Sequence, residues 1–469
     1  MDKDKLYFNL IKFIDEKYVS IDEAELYCYG CDVSDIEGIP DIVVRPGTTE
    51  EVSKIVRFAF ENRIPITPRA AGTGASGGCV PVKGGILIDL TRMNKIIDIS
   101  IEDLQVTVET GIIHKKLNEE LEKYGFRFPV NPGSSEMCTI GGMIANNASG
   151  RNAIKYGSTS EYILSLEIVL PDGSIIKIGS RVLKDVTGYD LCRLFAGSEG
   201  TLGIITKITL KILPIPDKIG VLMASFDDLR DAGNAVIATY QAKIIPSAIE
   251  ILDRSSIEAL NKFQPDLNLP EVEAILLFEF DGYINCIKEE IRIIENVCKK
   301  YNVKTIKMTL DEEERKKLWS ARSLVGAASS RVREGYARVY LGEDIAVPIS
   351  KIPDMLLKLR QLSEKYDIPI ITFGHISIGN LHPAITIRKY EDSDWEVVKR
   401  LVDEIHKTAL ELGGTTTAEH GIGVARSKYL KEYYQDVLKI MKKIKRAIDP
   451  FNIMNPGKMA LDEDQNAKE

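Results

Sequence analysis

The sequence predicts an α+β protein with two main domains and a C-terminal segment, and three observations support this fold class. The chain has 469 residues, more than one ordinary hydrophobic core accommodates. From Asp41 onward, short β-branched runs flank a helical segment, and a stretch rich in glycine and short strands follows. After Pro214 and Pro216 the pattern changes to alternating strands and helices, for which we expect an antiparallel sheet.

The individual elements follow from local patterns, taken in chain order. Residues 1–38 form helices separated by polar turns. A helix over 48–62 begins at Thr48 or Thr49, with Glu51 in its first turn. Pro171-Asp172-Gly173, between two β-branched runs, predicts a hairpin over 162–179. The other expected elements are strands at 42–46, 64–69, 84–90, 104–111, 201–213, 273–280 and 337–341, helices at 114–125 (ended by Gly125), 284–300 and 428–447, and a disordered tail over 461–469.

Composition excludes several classes of protein. The net charge is −8, which disfavours nucleic-acid binding because phosphates require a basic face. No apolar run approaches the roughly 20 residues needed to span a bilayer, and the N-terminus lacks the pattern of a signal peptide. We therefore expect a cytoplasmic protein. Cys28 and Cys31 form a lone CxxC, which indicates two reduced thiols more strongly than a redox or metal site.

Three glycine-rich segments point to a large bound ligand. Residues 69–78 read RAAGTGASGG and contain the pattern G-x-G-x-x-G, but no helix is predicted after it, which excludes a Rossmann site. Such a backbone can still wrap a pyrophosphate, although a plain turn explains this segment equally well. Residues 132–150 and 185–205 add small polar residues and further glycines, which suit a large planar ligand.

Three of the five histidines lie in two short segments, FGHISIGNLHP and AEHGIG. The imidazoles of His375 and His382 and the carboxylate of Glu419 are a donor set for a divalent transition metal such as Fe, Zn or Mn. His420, next to Glu419, is then available as a base. The alternative is that each histidine is a polar residue satisfied in a turn. The remaining histidines, which we expect to be structural or solvent-exposed, are His114 and His406.

Taken together, these segments resemble the FAD-binding domain of the vanillyl-alcohol oxidase/p-cresol methylhydroxylase superfamily. In detail they are similar to its D-lactate dehydrogenase and glycolate oxidase FAD-subunit branch. The matching motifs are PGSS, TIGGMIANNASG, DVTGYDL, GSEGTLGIIT and NPGK, in that order, and the resemblance spans about Pro40 to Lys458. It implies a two-part FAD-binding domain over 1–215, an α+β cap (substrate) domain over 216–425, and a segment over 426–469 that packs back on the first domain.

The resemblance also implies which residues bind FAD. Some relatives attach FAD covalently through a His or Tyr in these loops, and the loops at 69–78 and 132–150 contain neither, so we expect non-covalent FAD. The residues that the resemblance assigns to FAD are Arg69, Ala71, Gly72, Thr73, Gly74, Ala75, Ser76 and Gly77 around the pyrophosphate, Pro132, Gly133, Ser134, Thr139, Gly141, Gly142, Asn146, Ser149 and Gly150 around the flavin and ribityl, Gly200 and Ile205 near the adenine, and Asn455.

The second half departs from the family at one point. The usual pattern is GHxGDGNLH followed by EHGxG, and here Ser377 and Ile378 replace Gly-Asp, so a carboxylate near the metal ligands is lost. By resemblance, Arg322 in WSAR holds the substrate carboxylate, since a planar fork of donors pairs with it at two points; an exposed helix arginine is the alternative. Some relatives with other 2-hydroxy-acid substrates have a lysine close before the position of Asp344; this chain has Gly342 and Glu343 there, and the resemblance therefore argues weakly against a dicarboxylate substrate.

The resulting hypothesis is an FAD-dependent dehydrogenase of a small 2-hydroxy acid, D-lactate first and glycolate next. His420 removes the hydroxyl proton, the hydride passes to flavin N5, and a protein acceptor takes the electrons. Relatives suggest an electron-transfer flavoprotein or an iron–sulfur subunit, and the sequence leaves a homodimer open. The alternatives are a non-catalytic FAD-binding subunit, an oxidase that uses O2 directly, and an enzyme similar to alkyl-glycerone-phosphate synthase.

Overall fold

The computed structural model describes residues 3–462, which fall into two compact units. Of the described residues, unit 1 comprises 3–149, 158–215 and 419–462, and unit 2 comprises 150–157 and 216–418. The helices are α1 Lys3–Leu10, α2 Glu23–Tyr29, α3 Thr49–Asn62, α4 His114–Glu122, α5 Ile140–Ala145, α6 Ala153–Tyr156, α7 Leu191–Phe195, α8 Leu229–Gln241, α9 Arg254–Phe263, α10 Ile284–Lys300, α11 Glu312–Ser329, α12 Ile352–Tyr366, α13 Asp392–Glu411, α14 Ser427–Tyr433 and α15 Gln435–Ile448. The strands are β1 Val19–Ser20, β2 Ile42–Val44, β3 Ile66–Arg69, β4 Ile86–Asp89, β5 Ile96–Ser100, β6 Gln105–Glu109, β7 Phe126–Arg127, β8 Ile163–Val169, β9 Ile175–Gly179, β10 Ile204–Lys211, β11 Leu213–Pro214, β12 Lys218–Phe226, β13 Ala248–Asp253, β14 Ala274–Gly282, β15 Val303–Thr309, β16 Ala337–Val339, β17 Ile345–Ala346, β18 Ile370–Gly374 and β19 Asn380–Ile387.

Unit 1 contains a four-stranded sheet in the order β1-β2-β4-β3 and a five-stranded antiparallel sheet in the order β5-β6-β10-β8-β9. Strands β2 and β3 both pair in parallel with β4, and helix α3 is the crossover that connects β2 to β3. Helix α3 begins as predicted, because the Thr48 hydroxyl accepts the Glu51 N–H at 3.1 Å. Its apolar stripe packs into the core of the four-stranded sheet through Val52, Ile55, Val56 and Ala59.

The predicted hairpin is strands β8 and β9, joined by the Pro171-Asp172-Gly173 turn. The Asp172 carboxylate accepts the Ser174 N–H at 2.9 Å, and Gly173 adopts a φ of +81°. A residue with a side chain is strained at that φ, and glycine is not. Local turn chemistry therefore explains why this element was predictable.

Unit 2 is built on an eight-stranded antiparallel sheet in the order β15-β12-β14-β13-β18-β19-β16, with β17 paired to β19. Helices α8, α10, α12 and α13 cover one face and helices α9 and α11 the other. Because successive side chains of a strand point to opposite faces, a strand covered on both sides must be apolar throughout. This explains the largely apolar AILLFEF of β14, in which all seven residues are buried and Glu279 is the one charged residue.

Residues 150–157 belong to unit 2 although they precede much of unit 1 in the chain. The Lys155 ammonium lies 2.5 Å from a carboxylate oxygen of Asp281, and the Tyr156 hydroxyl donates to the other oxygen at 2.6 Å. The Asn152 amide donates to Glu279 at 3.1 Å. These buried polar contacts join α6 to strand β14, which sequence patterns do not indicate.

Several sequence-based boundaries differ from the structure. The predicted single helix over 428–447 is two helices, α14 and α15, because Tyr434 leaves helical geometry with φ −124° and ψ 37°. Helix α4 ends at Glu122, and Gly125 lies in the following turn with φ +76°. The last segment of unit 1 begins at residue 419, whereas the sequence analysis expected a boundary after 425. The predicted disorder over 461–469 is wrong at its first two residues, because Leu461 is buried and Asp462 accepts the Gly457 N–H at 2.8 Å, and residues 463–469 lie outside the described residues.

Candidate active site

The first glycine-rich loop of unit 1 follows strand β3 directly. Gly72 and Gly77 adopt φ values of +70° and +74°. The Arg69 guanidinium donates to the Cys31 carbonyl at 2.7 Å, so it is held against the N-terminal segment. A Cβ added to Gly74 would have its nearest protein atom, a carboxylate oxygen of Asp32, 3.7 Å away. The backbone at Gly74 is therefore open to close approach by a ligand.

The second loop, which contains residues 132–149 of unit 1, is fixed at one end and open at the other. The Thr139 hydroxyl accepts the Gly142 N–H at 3.2 Å and caps α5. At Gly141 a Cβ would lie 1.7 Å from the Thr110 hydroxyl oxygen, so only glycine fits there. At Gly133 a Cβ would meet no atom within 4 Å. Such a rigid, partly open glycine backbone fits a planar cofactor with phosphate and carbonyl oxygens.

Other residues that were predicted to bind FAD make contacts within unit 1. The Asn455 amide donates to the carbonyls of Gly78 (2.8 Å) and Glu199 (2.7 Å) and so joins two loops. A Cβ on Gly200 would lie 2.5 Å from the Pro68 ring, and Ile205 is buried in the core of the five-stranded sheet. The remaining predicted residues of unit 1 lie in the two loops, namely Ala71, Thr73, Ala75, Pro132, Ser134 and Asn146, whereas Gly150 falls in unit 2.

The segment with Glu419 and His420 is clamped within unit 1 by Glu199. The Glu199 carboxylate accepts the backbone N–H groups of Ile422 (2.7 Å) and Gly423 (2.8 Å). Burial raises the pKa of Glu199, and these two hydrogen bonds oppose that shift. The Ser76 hydroxyl, in the first glycine-rich loop, donates to the His420 carbonyl at 2.8 Å. The backbone that carries His420 is thereby fixed relative to the loop.

The side chains in this segment lie close to one another. The His420 Nε2 is 3.6 Å from a carboxylate oxygen of Glu419, and the His420 side chain is 25% exposed. The other carboxylate oxygen of Glu419 lies 3.5 Å from the Ser149 hydroxyl. A partly exposed imidazole beside a carboxylate is suited to accept a proton.

His375 and His382 meet in unit 2 because they flank the short connection between strands β18 and β19. Their ring centroids are 5.2 Å apart in an edge-to-face arrangement, and a nitrogen of one lies within 4.8 Å of a nitrogen of the other. The connection depends on Gly374 (φ +152°) and Gly379 (φ +74°). Both imidazoles are buried, at 8% and 5% exposure. Two converging buried imidazoles are donors that fit a transition metal.

Arg322 lies on α11, and its partner is Glu250 on strand β13. The Nε of Arg322 donates to one carboxylate oxygen of Glu250, and the other oxygen is 2.5 Å from the Nδ1 of His375. Burial of Glu250 opposes ionisation, but His375 and Arg322 outweigh that effect, and the pKa of Glu250 is lowered. Among residues 3–462, no acceptor takes a hydrogen bond from the Nη1 or Nη2 of Arg322. The guanidinium stands over the Phe373 ring, 4.8 Å from its centroid.

Glu250 was not predicted as a site residue. It occupies one position of the apolar strand AIEILD, and the weak signal for it is an acidic residue where both faces of the strand are covered. At the positions that depart from the family pattern, Ser377 is buried and its carbonyl accepts the Tyr240 hydroxyl at 2.7 Å. The carboxylate beside His375 therefore comes from a neighbouring strand and not from position 378.

Asp344 is a second buried carboxylate that organises the histidine segments of unit 2. One of its oxygens accepts the Asn380 amide at 2.9 Å, and the other accepts the Thr417 hydroxyl at 2.6 Å and the Ala418 N–H at 2.9 Å. Asn380 starts the strand that carries His382. Asp344 thus ties that strand to the chain immediately before Glu419.

The other candidate residues behave mostly as expected. His114 is buried at the start of α4, its Nε2 is 3.1 Å from the Asn118 amide, and burial lowers its pKa to about 4. His406 is fully buried on α13, so of the two predicted alternatives it is structural. Cys28 and Cys31 are exposed free thiols. Among residues 3–462 no helix is long and apolar enough to cross a membrane.

Two family models match the chain. One, described as FAD linked oxidases, C-terminal domain, covers residues 215–459, and another, described as FAD binding domain, covers residues 40–179. The chain belongs to the FAD-linked oxidase family. Among the sequences similar to this FAD-linked oxidase is the glycolate oxidase subunit GlcD of Bacillus subtilis, 38% identical over 90% of this chain and 89% of that protein. A mitochondrial D-lactate dehydrogenase [cytochrome] of Arabidopsis thaliana is 36% identical over 96% of this chain and 79% of that protein.

Solved structures support the predicted fold of this FAD-linked oxidase. p-Cresol methylhydroxylase with bound substrate superposes with a TM-score of 0.79 at 18% identity, over 98% of this chain and 97% of that one. An alkyldihydroxyacetonephosphate synthase gives a TM-score of 0.75 at 19% identity, over 96% and 86%. The predicted fold, with its two-part FAD-binding domain and antiparallel cap domain, is confirmed. At these identities the likeness carries the fold and not the reaction.

Proposed function

We propose that this FAD-linked oxidase is an FAD-dependent dehydrogenase that converts a small 2-hydroxy acid, D-lactate first and glycolate next, to the 2-oxo acid. The observation that carries the proposal is the Arg322–Glu250–His375 arrangement, which sets a carboxylate-binding donor beside a metal-binding imidazole in one unit. The names of the sequence relatives, which include D-lactate dehydrogenases and glycolate oxidase subunits, support this substrate class.

Arg322 would bind the substrate carboxylate. Its Nε is committed to Glu250, and its two Nη groups remain to donate in parallel to two carboxylate oxygens. The ion pair with Glu250 and the contact with the Phe373 ring restrict the guanidinium to one orientation before substrate arrives. A preoriented fork loses little entropy on binding.

His420 would act as the general base. It would take the hydroxyl proton on its imidazole, and Glu419 alongside would stabilise the resulting imidazolium. The loss of the proton from oxygen and of hydrogen with two electrons from C2 leaves the 2-oxo acid. The clamp that Glu199 and Ser76 place on this segment limits how far His420 can move from its working position.

FAD, when bound, supplies the acceptor for the two electrons and the C2 hydrogen. The two glycine-rich loops would hold it non-covalently. A divalent metal, when bound, polarises substrate oxygens, and His375, His382 and Glu419 would hold it. Electrons would leave to a protein acceptor, an electron-transfer flavoprotein or an iron–sulfur subunit.

An anaerobic spectrum of the purified protein tests the proposal. We expect a flavin band near neutral pH that bleaches within seconds of adding D-lactate. A band that persists with D-lactate, glycolate and other short 2-hydroxy acids, in the presence of Zn²⁺ or Mn²⁺, would contradict catalysis and favour a non-catalytic subunit or a synthase. Peroxide release in air at the rate of turnover would instead identify a direct oxidase.

A further inference from the structure

Glu250 is a buried acid of unit 2 that joins two candidate functional side chains. It is fully buried on β13, and its two carboxylate oxygens contact two different functional side chains, His375 and Arg322. A buried carboxylate is costly unless each oxygen has a donor. Here the two donors are a metal-binding candidate and the candidate substrate anchor.

This contact decides which nitrogen of His375 is available to a metal. An ionised carboxylate only accepts hydrogen bonds, so the Nδ1 of His375, 2.5 Å from the Glu250 oxygen, must carry the proton. In a neutral imidazole the proton on Nδ1 leaves the lone pair on Nε2. Histidine ligands of metals are commonly held in this way by a carboxylate behind the ring.

We propose that Glu250 is a positioning residue that sets the tautomer of His375 for metal binding and, with its second oxygen, the direction of the Arg322 fork. This inference rests on the proposed function, because the metal site at His375 and the substrate anchor Arg322 are both parts of that proposal.

The variant Glu250→Gln separates this role from a merely structural one. A guanidinium can only donate, so the Gln carbonyl must face Arg322, and the Gln NH2 then faces the Nδ1 of His375. His375 can meet that donor only by moving its proton to Nε2, which removes the metal-binding lone pair. The shape of the side chain and the contact with Arg322 are preserved.

Zn²⁺ is titrated by calorimetry into chelator-stripped, FAD-loaded protein. We expect Glu250→Gln to weaken Zn²⁺ binding by about 10- to 100-fold, the usual effect of losing an outer-shell partner. The matched control is Glu279→Gln on the adjacent strand β14, because Glu279 is also buried but its partners are Asn152 and Ser247. The control should bind Zn²⁺ as the wild type does.

The outcomes are distinguishable. Equal Zn²⁺ affinity of the wild type and Glu250→Gln overturns the inference, while reduction of the wild-type flavin by D-lactate leaves the proposed function standing. A wild type that binds no Zn²⁺ or Mn²⁺ overturns the inference together with the proposed metal site. If flavin reduction also fails, the proposed function itself is wrong.

A measurement on the wild type covers the case in which Glu250→Gln does not fold. In metal-free protein labelled with ¹⁵N-histidine, the His375 resonances, assigned with His375→Gln, should show the proton on Nδ1 and none on Nε2. A neutral ring whose single proton is on Nε2 overturns the inference, because the lone pair on Nδ1 would then face Glu250.

Discussion

Replacing Arg322 with lysine removes the fork of donors but keeps a positive charge for Glu250. The Arg322 Nε hydrogen bond to Glu250 can be replaced by the lysine ammonium, so the buried carboxylate stays paired. What is lost is the pair of parallel Nη donors that we assign to the substrate carboxylate. The lysine ammonium can still donate one hydrogen bond to the substrate carboxylate, so the net loss is one hydrogen bond to a charged group, worth about 1.5–3 kcal/mol.

That range corresponds to a fall of about 10- to 150-fold in kcat/KM for D-lactate, since each 1.4 kcal/mol is a factor of ten. Anaerobic stopped-flow reduction of the flavin over a range of D-lactate concentrations measures it. The loss should appear mainly as weaker substrate binding, with FAD content and Zn²⁺ affinity unchanged. Removing binding without touching the proton acceptor leaves the limiting rate less affected.

The matched control is Arg360→Lys, another helix arginine of unit 2 that is paired with a glutamate, Glu273. It should have wild-type kinetics. An Arg322→Lys enzyme with unchanged kcat/KM would refute the assignment of the substrate anchor. A loss of similar size in Arg360→Lys would show that the effect comes from disturbing unit 2 in general.

Three further predictions follow from the structure. His420→Ala should keep FAD bound but slow flavin reduction by D-lactate about 100-fold or more, because a positioned base is removed. Flavin reduction at a near-normal rate would show that His420 is not the base. Gly141→Ala should destabilise unit 1 and lower its retention of FAD, because the new Cβ would lie 1.7 Å from the Thr110 hydroxyl oxygen. A thermal unfolding midpoint equal to that of the wild type would contradict this packing. His114 is predicted to weaken the fold in acid. Burial lowers the pKa of His114 from the ordinary 6.5 to about 4 in the folded state. The stability that the neutral, buried imidazole contributes is therefore fully present above pH 6.5 and is lost as the pH falls through 4. The loss amounts to about 3 kcal/mol, and the difference in urea midpoint between the wild type and His114→Gln should therefore narrow as the pH is lowered from 7.5 to 4.5.

Two of the buried acids of unit 2, Glu250 and Asp344, hold the segments that carry the candidate site residues. Glu250 contacts the ring of His375 and the guanidinium of Arg322, while Asp344 ties Asn380 to the chain before Glu419. Each acid uses both oxygens, so removing either would leave buried donors without acceptors.

Elements governed by neighbouring residues could be predicted from the chain itself. Helix α3, its cap at Thr48, the hairpin around Gly173 and helix α10 over 284–300 follow from caps, turn chemistry and apolar periodicity, which act over a few residues. The expectation of loops that hold a large ligand was equally local, since glycines and small polar residues are what a close backbone approach requires, whereas FAD itself was assigned by the family resemblance. The single long C-terminal helix was wrong because no proline or glycine marks the break at Tyr434.

Some chemistry-bearing residues were also visible in the sequence: His375 and His382 stood out because the chain has only five histidines, and Arg322 was assigned by the family resemblance. Their partner Glu250 did not stand out, because it is about 70 and 125 residues away from them and its neighbours in sequence are apolar. The pairing of β13 with β18 brings its carboxylate to His375, and the packing of α11 on the sheet brings it to Arg322. The sequence determines which side chains are available. The tertiary structure decides which of them meet, because a buried charge such as that of Glu250 is paired with residues that are distant in the chain.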